Sequence, residues 1–252
     1  MRFAIILCCL FVMSIPVASA QSNSGRDSAQ ASRKLSSSNL NRLQRSLAQF
    51  TKHYDEVVNI LRKGSDEFDY DVRRMRNYYA KTDYYMPFSK GVLDEMSEYA
   101  YIVDTSDNKE DVQEALVSYR YLVRSHLAHL DAITFALSMS RLDERFGDEI
   151  FLANVRRSLL KAILFEGAKC EEPDLACRIV SYGEETYILG RIGGTVKGSK
   201  IYQVSNRYYN VHDLIKDGRE VEVYIDVTAP IVNVWDLQAV AERGADLTAH
   251  PQ

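Results

Sequence analysis

The sequence predicts an α+β protein in which an N-terminal antiparallel helical bundle, or a set of short tetratricopeptide-like helix pairs, packs with a small C-terminal antiparallel sheet. Apolar residues recur at gaps of three and four from Leu40 to Ile163, the spacing of a helix face. Beyond Cys177 the period changes to two, most clearly at Val221, Val223, Ile225 and Val227, the spacing of a half-buried strand. A sheet of about 65 residues would have a meagre core alone, so the two halves are expected to share one.

The chain opens differently. Arg2 precedes an almost wholly apolar run from Phe3 to Val17, and Ala18-Ser19-Ala20 offers the small residues a signal peptidase accepts. The run is shorter than the roughly 20 residues needed to cross a bilayer, and no second such run follows. Residues 1–20 are therefore expected to be a signal peptide removed near Ala20, giving a periplasmic or secreted protein without an integral membrane segment. Residues 21–37, rich in Ser, Gln, Asn, Ala and Arg, are too polar to form a core and are expected to be a flexible leader.

One α+β domain is expected over 38–243, with its helical part at 38–167 and a disulfide loop and sheet at 168–243; the tail 244–252 should fray. Leu40, Leu43, Leu47, Phe50, Tyr54, Val57 and Leu61 form the stripe of a first helix that Gly64 stops. Phe68, Val72, Met75 and Tyr79 repeat the spacing over a second, which must end before Pro87 because the residue preceding proline is driven out of helical angles. Val92 or Leu93 with Met96, Tyr99 and Val103 mark a third. The turn-forming residues Asp104 to Asn108 separate it from a fourth and can cap that helix, whose buried side is Val112, Ala115, Tyr119, Leu122 and Val123. A fifth runs from Leu130 to Arg145 through Ile133, Leu137 and Ser140. After Gly147 a sixth follows on Ile150, Leu152, Val155, Leu159 and Ile163, with Gly167 ending the helical part. The pair from Asp107 to Gly147 has the span and the small residues, Ala132 and Ala136, of a tetratricopeptide unit, but no fixed period repeats it.

Removal of the leader leaves two cysteines, Cys170 and Cys177. In an exported chain an isolated pair reads as one structural disulfide. Two thiolates are too few for a closed metal site, and six intervening residues are not the spacing of a CxxC redox site. Besides the strand ending at Val227, weaker strand candidates cover Arg178 to Tyr182, Thr186 to Ile192 and Ile201 to Ser205.

The formal charge is -4. Arg2 is the only charged residue of the expected signal peptide, so cleavage moves it to -5. A mildly acidic chain has no electrostatic drive toward nucleic acid or anionic lipid, and no nucleic-acid partner is expected. Arg73-Arg74-x-Arg76 is a local exception, expected to be a solvated helix face.

Several constellations carry chemistry at first sight. His126-x-x-His129 with Asp131 has ligand types at near-helical spacing, yet lacks the glutamate and the i+4 histidine of a zinc protease helix, so the spacing assigns no metal. Gly193 to Lys200 has Gly-Ser-Lys where a phosphate loop needs Gly-Lys followed by Ser or Thr, and reads as a glycine-permitted hairpin turn; no cofactor is expected. Glu184 and Glu185 are adjacent acids on an expected strand, where neighbouring side chains point to opposite faces and cannot act as an acid/base pair. None of Ser181, Ser199 or Ser205 has an identifiable base partner in the sequence. Tyr78, Tyr79, Tyr84, Tyr85 and Tyr187 are amphipathic rings suited either to helix packing or to a groove for a peptide, glycan or protein.

Phe68 to Tyr85 with Tyr85-Met86-Pro87, Leu130-Asp131-Ala132, Phe146-Gly147-Asp148, Cys177 to Leu189 with Ile179-Val180 and Glu184-Glu185-Thr186-Tyr187, and Tyr224-Ile225-Asp226-Val227 resemble a secreted bacterial family, domain-of-unknown-function family 4919. The resemblance covers most of 66 to 232, with Thr186 as an extra residue splitting the Glu-Glu-Tyr group. It implies an exported globular domain and supplies no activity or catalytic residues. The expected function is a binding or scaffolding module whose partner is a protein, peptide or glycan of the envelope. One alternative is an exported hydrolase or metal-dependent enzyme using His126 or His129 with Asp131, Glu184 or Glu185. Another is a structural protein self-associating through Leu40 to Leu61; the oligomeric state is open.

Overall fold

Where the apolar stripe recurs, the chain is helical. The computed structural model describes residues 37–164 and 169–233; the expected signal peptide, most of the leader, Gly167 and the tail lie outside the described residues. Six helices come first: α1 Ser37–Lys63, α2 Phe68–Tyr79, α3 Ser89–Thr105, α4 Lys109–Ser125, α5 Leu130–Leu142 and α6 Glu149–Ile163. Each ends where the local chemistry requires. Gly64 leaves α1 at φ 89°, a left-handed conformation that glycine adopts without steric cost. Asn108 and Asp148 cap α4 and α6 by accepting the amides of Glu110 and Phe151, each at 3.0 Å.

The buried faces follow the expected stripes, with Tyr54, Val57 and Leu61 of α1, Val72, Met75 and Tyr79 of α2 and Leu152, Val155, Leu159 and Ile163 of α6 in one core. Four positions differ, three on α1 and one on α6. Leu43, Leu47 and Phe50 are only half-buried, because α2 covers only part of the long α1. Ile150 is 76% exposed, since it lies on the outer side of the first turn of α6.

The helices pack as α1 on α2, α3 on α4 and α5 on α6, with α6 against α2 and α5 against α3. The third pair thus sits between the other two, which is a bundle and not a sequential solenoid. The Asp107 to Gly147 segment is no tetratricopeptide hairpin, because α4 packs chiefly on α3 and α5 on α6.

After α6 the chain forms β1 Cys177–Arg178, a seventh helix α7 Tyr182–Ile192, and strands β2 Thr195–Val204, β3 Arg207–Lys216 and β4 Arg219–Asp226. The sheet order is β1-β4-β3-β2. The three long strands are antiparallel, but β1 runs parallel to β4, so the sheet is mixed and not purely antiparallel. Asp217 and Gly218, at φ 51° and 74°, make the tight turn between β3 and β4, the conformation for which Asp-Gly is favoured.

Two sheet expectations are corrected. The stretch Thr186 to Ile192 is helix, because Glu184, Ile188 and Ile192 line up four residues apart on one side. Gly193 to Lys200 is mostly strand: Gly193 and Gly194 make the turn into β2, and Thr195 onward pairs with β3. Gly194 has no room for a side chain, since a Cβ there would lie 2.7 Å from the Ile215 carbonyl oxygen.

Cys170 and Cys177 are bonded, with their Cα atoms 5.0 Å apart, and both are buried. The loop they close is tied to the sheet, for the Tyr224 amide donates to the Cys170 carbonyl at 2.7 Å. Closing so short a loop removes unfolded-state entropy worth about 2 kcal/mol. Urea unfolding of a Cys170→Ser/Cys177→Ser variant should show that loss with an unchanged native circular dichroism spectrum; an equal midpoint would mean the bond contributes nothing to stability.

Candidate functional site

Helix α7 decides the geometry of the two glutamates. Ser181 precedes it at the N-cap position, Glu184 and Glu185 lie in its first turn where negative charge suits the helix dipole, and Gly193 at φ 78° ends it. Ser181-x-x-Glu184 is a helix-start signature that the alternation of the following residues concealed. On a helix the two side chains diverge by about 100°, and they serve separate clusters.

Glu184, with no exposed surface, faces the helical half. Its Oε2 accepts from Arg76 Nη2 at 2.5 Å and from the Val180 amide at 2.8 Å, and Arg76 Nη2 also donates to the Arg178 carbonyl at 2.7 Å. Arg76 is therefore not part of a solvated face: it is 5% exposed and crosses from α2 to the segment between β1 and α7. Tyr85 adds a second tie, donating to the Val180 carbonyl at 2.7 Å.

The histidines meet Tyr79, whose ring is edge-on to Tyr85. His126 Nδ1 is 2.9 Å from the Tyr79 hydroxyl, and His129 is the N-cap residue of α5, its ring edge-on to Tyr79. Burial lowers His126 to about 3 and His129 to about 4 from an ordinary 6.5, the neighbouring His129 adding to the first shift and Asp131 opposing the second. Both rings are neutral at pH 7, and burial likewise pushes the Tyr79 and Tyr85 hydroxyls well above their ordinary value.

Asp131 does not join the histidines in a ligand set. Its Oδ2 accepts from Ser89 Oγ and presses against Gly183, where a Cβ would lie 1.8 Å away. Ser89, Asp131 and Gly183 all belong to first turns, of α3, α5 and α7, so three positive helix ends meet at one carboxylate. Among the described residues no group of three His, Cys, Asp or Glu side chains could hold a metal ion.

Glu185 faces the sheet. Its Oε1 accepts from Asn210 Nδ2 and pairs with His212 Nε2, each at 2.5 Å. His212 Nδ1 is buried without a hydrogen-bond partner among the described residues, and although Ser199 stands opposite His212 in the β2–β3 register, no hydrogen bond joins them. Asn210 and His212 were not visible as a site in the sequence, because β3 carries polar residues on its inward side and shows no apolar alternation.

The five tyrosines singled out in the sequence fall into two groups. Tyr79 and Tyr85 are core residues; Tyr78, Tyr84 and Tyr187 are half-buried, and Tyr187 lies apart on α7. Tyr84 instead packs edge-on to Tyr121 of α4, centroids 6.3 Å apart, and donates to Asp55, which also meets Arg124 at 3.5 Å.

Beside Arg124 opens a groove of about 510 Å³ between α1, α4, the 3-10 turn Glu144–Phe146 and α6. Arg62, Arg120 and Arg124 line it over a floor of Val58, Val123, Leu127, Phe146, Phe151 and Leu152. No motif announces this arrangement, for Arg62 and Arg124 are distant in the chain. A wider depression lies beside Asp69, whose carboxylate is held below its usual range by Lys161 at 2.8 Å; Asp66, Glu67 and Asp69 outnumber its cations Arg157 and Lys161.

Two outcomes test the structural roles. Arg76→Ala or Glu184→Ala should each cost about 3–5 kcal/mol in urea unfolding by stranding a buried charge, whereas Arg76→Met with Glu184→Leu should recover most of it; equal losses in all three would refute the pairing. For the histidines, the folded values of about 3 and 4 lie below the unfolded 6.5, so the native state binds fewer protons. Their contribution is complete above pH 6.5 and is lost as pH falls toward 4, by about 3 kcal/mol each. Unfolding free energy measured against pH should therefore fall across that window, with a shallower slope in His126→Gln and His129→Asn.

No family model, curated protein or solved structure matches the chain, so its function is read from its own geometry.

Proposed function

We propose that the chain is an exported binding or scaffolding module of the bacterial envelope or its secretions, which presents the face built by α1, α4 and the start of α6 to a protein, peptide or glycan. One observation carries the reading: His126, Glu184 and Glu185 are tied into the interior, while the cationic groove and the neighbouring Tyr84 and Tyr121 open to solvent. Export is supported by the leader sequence at 1–20, and no helix among the described residues is long and apolar enough to cross a membrane.

The alternatives have less support. A hydrolase using His126 or His129 would need them to reach a substrate, and they are 4% and 0% exposed. Self-association through the α1 stripe would use side chains of which Tyr54, Val57 and Leu61 are consumed by the domain's own core.

A photoreactive phenylalanine at position 121, which is 56% exposed, tests the binding face against the same group at position 101 on α3, which is 68% exposed. Irradiation in the producing cell should give an adduct from position 121 and none from position 101. Adducts from neither, or equally from both, would remove the face from consideration. The mature mass should begin at Gln21, and a retained Met1 would refute export by cleavage.

A further inference from the structure

The groove holds positive charge that the fold does not use. Arg120 and Arg124 are one turn apart on α4, a spacing at which like charges repel, and Arg62 in the last turn of α1 brings a third cation to the same opening. Arg62 has no hydrogen-bond or ion-pair partner among the described residues. Arg120 donates from Nε and Nη2 to the Arg145 carbonyl at 3.2 and 2.8 Å, which fixes its position and leaves its charge uncompensated. Arg124 meets Asp55 only at 3.5 Å.

The lining also contains Glu144 and Asp148, the latter engaged as the cap of α6. Arg124 is met by Asp55, and the Asp148 carboxylate is offset by the positive end of α6 that it caps, so Arg62 and Arg120 stand against Glu144 and leave an excess of one positive charge, in a chain whose formal charge is -4. A singly charged anion matches that excess. A dianionic phosphate would carry a second charge past Glu144, and a cation would meet the arginines. A guanidinium also suits a carboxylate in particular, since its planar fork can donate two parallel hydrogen bonds.

The floor restricts the rest of the ligand. Val58, Val123, Leu127, Phe146, Phe151 and Leu152 offer aliphatic and aromatic surface, and about 510 Å³ lies in the range of small-molecule sites. A hydrophilic acid would leave that surface wet.

We propose that the groove binds a small amphipathic carboxylate, its headgroup against Arg62, Arg120 and Arg124 and its apolar body on the floor. This goes beyond the binding-module reading, giving the same face a small ligand beside its macromolecular partner. The headgroup contributes orientation and salt dependence; the body contributes most of the affinity through burial of apolar surface.

Isothermal titration of the full mature protein with decanoate below its micellar concentration tests the proposal, with decyltrimethylammonium and acetate as controls. Decanoate should bind one to one and more weakly as salt rises; neither control should give saturable heat. Arg62→Glu, an exposed change expected to leave the thermal melt in place, should weaken decanoate about tenfold or more. Val123→Glu, which places a carboxylate on the floor, should abolish binding. Absence of decanoate binding, equal binding of the cationic amphiphile, or an unchanged affinity in Arg62→Glu would overturn the proposal. If it fails while the photoadduct at position 121 persists, the amphiphile is wrong and the binding face stands; if both fail, both fall.

Discussion

The buried Arg76–Glu184 ion pair is the constraint around which the two halves of the protein are arranged. An ionised carboxylate with no exposed surface is tolerable only if each oxygen is engaged, and Arg76 and the Val180 amide engage Glu184 from α2 and from the segment before α7. The pair therefore fixes α7 against the helices. Arg76 also takes the Arg178 carbonyl, which sets the end of β1 and, through its parallel pairing with β4, the edge of the sheet. Apolar contacts supply most of the favourable free energy, but they are non-directional; the ion pair and its hydrogen bonds specify one arrangement of helices on sheet.

The same logic accounts for the other polar groups of the interior. His126 and His129 are neutral because burial makes the imidazolium costly, and a neutral ring can serve as a hydrogen-bonding or capping group. Asp131 occupies the position an external anion would take at the meeting of three helix N-termini, which explains the close approach of Gly183. Glu185 engages Asn210 and one ring nitrogen of His212, allowing β3 to turn polar side chains toward the interior. The interior is thus organised by polar clusters, and uncommitted charge is left to the surface groove, where the arginines stand on helices already positioned by the core.

The helices were legible because each has to bury a stripe: Val72, Met75 and Tyr79 or Leu152, Val155 and Leu159 announce their periodicity without reference to any neighbour. The strand at Val221 to Val227 was legible for the same reason. Helix α7 was misread because Thr186, Tyr187, Ile188 and Leu189 satisfy strand propensity, while the two residues that make the helix necessary, Glu184 and Ile188, are defined by partners far away in the chain. β3 was missed because its inward Asn210 and His212 are polar, an arrangement permitted only by Glu185.

The sequence by itself determined the α+β class, the helical segments, the cysteine pair available for a disulfide and the acidic charge of the chain, all properties set by local periodicity and composition. The tertiary structure alone decided that Arg76 is a buried partner while Arg62 has none among the described residues, that two adjacent glutamates serve opposite sides of one helix, and that arginines from separate helices line one groove. Those are facts of burial and proximity. A one-dimensional pattern records which side chains are polar, but only packing fixes the dielectric around each charge and the distance to the next one.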